Sequence, residues 1–335
     1  AVGIYVDENT AAVNAGTITT TNIDGGSIGV VGIKDSEFLN NGTISVNEGS
    51  VGVYGNGNNA ILKNEGIISV GKNSVGMYSA KGATVENNKT IKLVGDDSIG
   101  MYVADNSKGI NNGEITTDGI VNRAIGVALG KNAEFTNNGK IVINSNEGIG
   151  IVNAGGIIKN YGDIQVTGDN SLREKRVDNV VVKTDGVMTP MSYVQKAPTL
   201  GLYVDTEGKT NPIKGIEKLG VSKVDLLIGA EAANSTNDTT VEVSKEVLKP
   251  YSNTIEQVGL NNVSVKSGAL TWNLESETSN KGIKKAILTK KSYVIFTGDT
   301  ETAKLAQGLD ERYRLSALGS EERQLFTYLN SLGPN

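Results

Sequence analysis

Residues 50–73, SVGVYGNGNNAILKNEGIISVGKN, decide the fold, because residues 74–97 repeat them as SVGMYSAKGATVENNKTIKLVGDD. The glycine of the apolar–Gly–apolar unit recurs at Gly3, Gly29, Gly52, Gly76, Gly100, Gly126 and Gly150. A second unit follows each of these, with its first asparagine at Asn14, Asn40, Asn64, Asn87, Asn111, Asn137 and Asn160. Both units advance by 23 to 26 residues and keep the same phase, so the sequence contains seven copies of one repeat.

Each copy contains short stretches in which apolar and polar residues alternate, the pattern typical of β-strands. In SVGVYG, the alternation predicts that Val51 and Val53 face one way and that Gly52 and Tyr54 face the other. Three such strands per copy predict a three-sided coil, and neighbouring coils stack about 4.8 Å apart. We therefore predict an all-β fold, a right-handed parallel β-helix with about 24 residues per coil.

The seven asparagines share the parity of the apolar residues two positions before them, so we expect them to face inward at a corner. Stacked amides can hydrogen-bond along the coils, and asparagine tolerates the left-handed conformation of a sharp turn. We interpret the column as a structural ladder. A row that binds a metal or an amide ligand is the functional alternative.

Tyr54, Tyr78 and Tyr102 occupy the same position in three consecutive copies, on the face predicted to point outward. A tyrosine ring offers a flat apolar face and a polar hydroxyl, so such a stripe suits sugar rings or protein surfaces. The structural alternative is ring-on-ring stacking that holds the coils in register. The stripe is one candidate ligand-binding site.

The repeat breaks after GDNS at 168–171, because the expected apolar–Gly–apolar–Tyr unit returns only at 200–203. Composition changes at the same place, since residues 1–170 hold 29 of the 42 glycines, no proline and one arginine, Arg123. The predicted organisation is regular coils over 1–171, an inserted loop over 172–198, an irregular β-helix continuation and cap over 199–298, and a helical segment over 299–335.

The predicted loop carries three basic residues, Arg173, Lys175 and Arg176, beside Glu174. Loops that protrude from solenoids often bind partners, so this cluster is a second candidate ligand-binding site. A solvated, protease-sensitive loop is an equal alternative. The segment VDNVVVKTDGV, which begins at residue 177, has the pattern of a short hairpin.

Strand patterns continue without a fixed period over 224–232, 239–244, 269–276 and 284–296. Trp272 stands where one more apolar column would close a core. The last segment changes to apolar residues at three-to-four spacing, which predicts two short amphipathic helices. Ser320 is the expected N-cap of the second helix.

Composition excludes several classes of function for these 335 residues. The absence of His and Cys excludes Ser-His-Asp and thiolate nucleophiles, disulfides, and zinc or haem held by such ligands. Basic and acidic residues number 32 and 37, which does not suit a nucleic-acid binder. Asp and Glu are spread among the coils without a common column, so we expect no catalytic site, metal or cofactor.

The SxGhY and NNGxI units, KKSYVIF at 290–296 and the closing LDERYRLSALGSEERQLFTYLNSLGPN resemble the C-terminal passenger region of the large fusobacterial type Va autotransporter adhesins. The resemblance implies a fragment without its signal peptide and most of its N-terminal passenger, displayed at the cell surface through its own outer-membrane β-barrel, which is absent here. Family members bind host cells, host proteins or glycans, and partner bacteria. The resemblance also implies an autochaperone-like folding cap at about 205–298, with Trp272, Tyr293 and Phe296 as the residues that we assign to the cap.

Three functions therefore remain at the level of sequence. The first is a non-enzymatic adhesin passenger, expected to be a monomer as a fragment. The second is a structural spacer and autochaperone whose recognition site lies elsewhere. The third is a β-helix carbohydrate-active enzyme, which needs clustered carboxylates in one groove.

Overall fold

The computed structural model describes residues 1–21, 26–167, 177–184, 187–193, 199–214, 216 and 223–333. The chain divides into two compact units. The first unit comprises Ala1–Leu200 and Ile213–Lys223, and the second comprises Gly201–Pro212 and Val224–Asn335.

Short strands make up the first unit and are numbered in chain order. They are β1 (Val2–Val6), β2 (Ala11–Asn14), β3 (Thr17–Thr19), β4 (Ile28–Ile33), β5 (Glu37–Asn40), β6 (Thr43–Val46), β7 (Val51–Asn56), β8 (Ile61–Asn64), β9 (Ile67–Val70), β10 (Val75–Ala80), β11 (Thr84–Asn87), β12 (Thr90–Leu93), β13 (Ile99–Val103), β14 (Lys108–Asn111), β15 (Glu114–Thr117), β16 (Val121–Asn122), β17 (Ile125–Leu129), β18 (Glu134–Asn137), β19 (Lys140–Asn146), β20 (Ile149–Asn153), β21 (Ile157–Asn160), β22 (Asp163–Thr167), β23 (Val177–Thr184) and β24 (Val187–Tyr193).

Successive coils contribute their strands to the same three parallel sheets, so the predicted three-sided β-solenoid is confirmed. Sheet A runs in the order β1-β4-β7-β10-β13-β17-β20, and sheet B contains β2-β5-β8-β11-β14-β18-β21. Sheet C runs β16-β19-β15-β12-β9-β6-β3, and β22 also pairs with β19. The strands β23 and β24 form an antiparallel hairpin.

The predicted alternation is wrong at the repeated glycine of sheet A. A Cβ atom on Gly52 would lie 3.2 Å from Ile68 Cγ2, so Gly52 faces the interior rather than sharing the side of Tyr54. Val51, predicted to point with Val53, instead packs with Tyr54 in a separate apolar cluster along this sheet. Val51 and Tyr54 therefore share one face.

A close approach of the backbones explains both the change of direction and the glycine. The ladder pairs Val51 and Val53 with the next coil and passes over Gly52, which interrupts the period-two pattern. A Cβ atom on Gly52 would stand 2.5 Å from the carbonyl oxygen of Gly76. Only glycine fits this position without moving the neighbouring coil.

The asparagine column forms the predicted internal ladder. From Asn14 to Asn137, the Nδ2 of each ladder asparagine donates to the Oδ1 of the next at 2.7–2.8 Å. Most also donate to the carbonyl oxygen two residues ahead, as Asn40 does to Gly42 at 3.2 Å. The side chains are buried, so these bonds satisfy amides that would otherwise lose their hydrogen bonds to water.

The left-handed conformation expected of this column is not found, because the ladder asparagines lie at strand ends without positive φ. Left-handed residues lie at other corners. Examples are Asn9, Asn59 and Asn106, with φ of 58°, 60° and 57°. Asparagine thus serves two purposes in the solenoid, amide stacking at one corner and tight turning at another.

The second unit mixes strands and helices. Its strands are β25 (Thr199–Val204), β26 (Lys223–Ile228), β27 (Thr240–Glu242), β28 (Val263–Ser267), β29 (Trp272–Ser279) and β30 (Gly282–Lys290). Its α-helices are α1 (Lys245–Leu248), α2 (Ser252–Val258), α3 (Thr300–Leu315) and α4 (Glu321–Ser331). Its 3-10 helices are Glu231–Ser235, Lys249–Tyr251, Leu260–Asn262 and Tyr293–Phe296.

The prediction of a strand over 284–296 is correct as far as Lys290 and wrong beyond it, because Tyr293–Phe296 is a 3-10 helix. Ser292 accepts a hydrogen bond from Val294 N at 3.2 Å and starts that turn. The two C-terminal helices are confirmed, and Ser320 caps α4 by accepting from Arg323 N at 3.1 Å. No helix in the described ranges is long and apolar enough to cross a membrane.

Candidate functional site

The three tyrosines of the stripe come together on β7, β10 and β13. Parallel register pairs Tyr54 with Tyr78 and Tyr78 with Tyr102. The ring centroids lie 5.0 Å and 4.6 Å apart, and the planes are tilted by 51° and 54°. The stripe is therefore a continuous stack of rings whose spacing the coil repeat sets.

Access to the stripe differs along its length. Tyr54 is only 3% exposed, whereas Tyr78 and Tyr102 are half-buried. Burial, followed by the neighbouring tyrosines and Asp105, raises the pKa of the Tyr78 hydroxyl. Tyr78 therefore stays neutral over the physiological range and can both donate and accept a hydrogen bond.

The positions equivalent to Tyr54 in the other coils do not extend the aromatic stripe. Val31 and Ala128, at the equivalent positions in β4 and β17, are buried apolar residues of the sheet A cluster. Tyr5 in β1 is 59% exposed. Tyr203 is buried and donates its hydroxyl proton to Glu231, so its ring serves the packing of the second unit.

The basic cluster of the second candidate site, Arg173, Lys175 and Arg176, lies outside the described residues. The stripe is thus the ligand-binding candidate for which the structure gives side-chain geometry.

Several charged residues of the first unit form ion pairs between successive coils. Arg123 binds Asp97 through two bonds of 2.6 Å, and the amide of Asn122 lowers the pKa of the Asp96 carboxyl. Further pairs are Glu8–Lys34, Glu48–Lys72, Lys63–Glu86, Lys92–Asp118 and Glu134–Lys159. Within the described part of the chain, no group of three or more acidic residues is arranged to hold a metal ion.

The cap residues predicted from sequence lie in the second unit with different surroundings. Trp272 is fully buried and donates from Nε1 to Asn330 Oδ1 at 2.8 Å. Tyr293 stacks on Phe326 at a centroid distance of 6.3 Å. Phe296 is 45% exposed and lines an apolar groove of about 320 Å³ between the 3-10 helix, α3 and α4.

The sequence pattern did not predict the role of two buried cations of the second unit, Lys290 and Arg323. The Lys290 ammonium lies 3.4 Å from the centre of the Tyr293 ring and pairs with Asp310 at 2.8 Å. Burial lowers the pKa of Lys290, and Asp310 opposes that effect. Arg323 lies over the Tyr313 ring at 4.4 Å and donates to its carbonyl oxygen. Both cations hold helices in place through aromatic rings.

Comparison with known proteins identifies the solenoid. A family model described as the BigA third pectate lyase-like domain matches residues 1–90 and again residues 76–189. The second match begins about three coils after the first, as expected when a repeated sequence aligns twice. No curated protein and no solved structure matches the chain. Since the two matches span 189 of 335 residues, the chain belongs to the family of the BigA third pectate lyase-like domain.

Proposed function

We propose that the chain is a passenger region of a surface-displayed bacterial adhesin, which attaches the cell to host cells or partner bacteria without catalysis. The observation that carries this proposal is the ordered aromatic stack on the solenoid. Its half-buried members, Tyr78 and Tyr102, lie 4.6 Å apart, and tyrosine rings suit sugar or protein surfaces. Membership of a β-helix family supports the passenger assignment.

The pairing of charges supports a role without catalysis. A β-helix glycosidase needs two carboxyl groups in one groove, with pKa values set apart for acid and base roles. In the first unit, Asp97 and Glu134 are instead paired with cations of the next coil. These carboxylates contribute to coil stacking.

A purely structural spacer is the second candidate, and the burial of Tyr54 favours it. A ring that is 3% exposed contributes to packing more than to recognition. In that case the whole stripe serves to hold the coils in register, and recognition lies elsewhere.

The test is direct binding of the purified, labelled chain to host cells, bacteria and immobilised glycans. We expect the chain to bind one of these surfaces, and Tyr78→Ser with Tyr102→Ser to weaken that binding about tenfold through loss of aromatic contact. Tyr5→Ser is the matched control, since Tyr5 occupies the same column but lies outside the stack.

Three outcomes separate the alternatives. If the folded chain binds no surface, the adhesin proposal for these residues is wrong and the spacer is favoured. If the double variant binds normally but unfolds more easily, the stripe is structural. Release of reducing ends from a polysaccharide would contradict a role without catalysis.

A further inference from the structure

Three Asn-Gly pairs lie at the same corner of the solenoid. They are Asn41–Gly42, Asn112–Gly113 and Asn138–Gly139, each between a strand of sheet B and a strand of sheet C. At Gly42 a Cβ atom would collide with the carbonyl oxygen of Gly16, so the close approach of these two coils favours glycine at this position. The Asn-Gly dipeptide is chemically labile, because glycine has no side chain to hinder the attack of its own backbone nitrogen on the asparagine side chain.

The hydrogen bonds of the three asparagine side chains differ. Asn112 Nδ2 donates to Asn88 Oδ1 at 2.6 Å and to Glu86 Oε1 at 3.0 Å. Asn138 Nδ2 donates to Asn112 Oδ1 at 2.7 Å. Among the described residues, the exposed Asn41 side chain has no hydrogen-bond partner. Asn88, Asn112 and Asn138 thus form an outer amide stack. The stack fixes the side chains of Asn112 and Asn138 but does not include Asn41.

We propose that Asn41 is a site of spontaneous deamidation in the folded protein and that the outer amide stack protects Asn112 and Asn138. The backbone nitrogen of Gly42 attacks Cγ of Asn41 and forms a C–N bond. The Cγ–Nδ2 bond breaks, the Gly42 N–H proton is lost to solvent base, and Nδ2 leaves as ammonia after gaining a proton. Water then opens the succinimide at either carbonyl group and yields aspartate or isoaspartate.

The attacking nitrogens do not distinguish the three sites. Gly42 N, Gly113 N and Gly139 N each donate to the asparagine carbonyl of the preceding coil, at 3.1, 3.0 and 3.0 Å. The free-energy cost of opening this hydrogen bond is therefore similar at the three sites. The difference lies in the side chain, which must rotate to bring Cγ to the nitrogen, and two hydrogen bonds oppose that rotation at Asn112.

A fourth pair, Asn56–Gly57, occupies a different environment. Asn56 ends strand β7, pairs with Ile33 and Ala80 on its two sides, and is half-buried with Oδ1 enclosed. Reaction there requires a strand of sheet A to open on both sides. Asn56 is therefore expected to react more slowly than Asn41.

Deamidation changes the corner in two ways. It adds a negative charge in the column that contains Glu65, which occupies the equivalent corner of the next coil. Isoaspartate also lengthens the backbone by one atom, so the coil containing Asn41 would lose its register with Asn14 and Asn64. The product is expected to unfold more easily around the coil that contains Asn41.

The experiment is peptide mapping by mass spectrometry after incubation of the folded chain in mildly alkaline buffer. We expect Asn41 to convert to aspartate and isoaspartate about tenfold faster than Asn112, from the loss of two hydrogen bonds of ordinary strength. In urea, where the stack is absent, the three sites are expected to react at similar rates.

Two variants make the test specific. Asn88→Ala removes a partner of Asn112 without touching Asn41, so it should accelerate Asn112 alone. Asn41→Gln should abolish the fast phase in the peptide that contains it. Equal rates at Asn41, Asn112 and Asn138 in the folded chain, or no effect of Asn88→Ala, would overturn the proposal.

Discussion

At the scale of single residues, Asp205 is a nearly buried carboxyl group beside a second one. Its Oδ1 accepts from Glu207 N at 2.8 Å. Glu231 accepts from the Tyr203 hydroxyl and from Thr206 N. Burial, and then repulsion by Glu231, raise the pKa of Asp205 above its ordinary value of 3.8.

We predict that Asp205→Asn stabilises the second unit at neutral pH. Because the folded state holds the Asp205 proton more tightly than the unfolded state, this group favours folding below pH 3.8 and loses that benefit as pH rises through its raised pKa. Asparagine keeps an acceptor for Glu207 N and carries no charge. Thermal unfolding of both proteins across the acidic-to-neutral range measures the difference.

Glu207→Gln is the control, since it removes an exposed carboxylate of the same turn. Unlike Asp205→Asn, it is not expected to stabilise the second unit at neutral pH, because Glu207 is exposed and pairs with Lys209. An Asp205→Asn protein that is less stable than the wild type at neutral pH would contradict the prediction.

At the scale of elements, local sequence predicts where a helix begins better than it predicts whether a segment is a strand or a helix. Ser320 before two glutamates predicts its helix, and Asp299 caps α3 in the same way by accepting from Thr302 N at 2.8 Å. Tyr293–Phe296 has the composition of a strand but folds as a 3-10 helix. Asp310 on α3 accepts from Tyr293 N at 3.1 Å, a contact that sequence spacing does not show.

We predict that a Gly→Ala substitution has opposite effects on stability within α3 and after it. A Cβ atom at Gly308 or Gly319 would meet nothing within 4 Å. Gly308→Ala should stabilise the second unit by about 0.5–1 kcal/mol, because alanine favours the helix. Gly319→Ala should destabilise it by about 1 kcal/mol, since Gly319 has a φ of 81°. Urea unfolding measures both changes, and equal effects would contradict this explanation.

At the scale of the whole solenoid, the cost of breaking the asparagine ladder should depend on position. Asn87 accepts from Asn64 and donates to Asn111, whereas among the described residues Asn14 has one ladder bond, to Asn40. Asn87→Ala should cost about 2–4 kcal/mol because it removes two ladder bonds between buried amides, and Asn14→Ala, which removes one, about 1–2 kcal/mol. Urea unfolding of the first unit checks this ranking, and a larger loss for Asn14→Ala would show that the stack is not the cause.

The sequence by itself determined the solenoid, its phase and its internal ladder. A repeat in which the ladder asparagine follows the glycine of sheet A by 10 to 12 residues can satisfy its backbone and bury its apolar columns only by stacking on copies of itself. The tyrosine stripe followed from the same repeat spacing, because equivalent positions in successive coils become neighbours when the coils stack. These features are local and repeated, so a pattern reveals them.

Only the tertiary structure decided which side chains are covered and which interactions lie outside the repeat. Tyr54 and Tyr78 stand in similar sequence contexts but differ in burial. Asn41 and Asn112 both precede glycine, but of the two only Asn112 has side-chain hydrogen-bond partners among the described residues. Lys290 finds its aromatic and acidic partners through contacts distant in sequence. The physical reason is that burial and pairing depend on what packs against a residue, whereas the repeat specifies only where the residue lies.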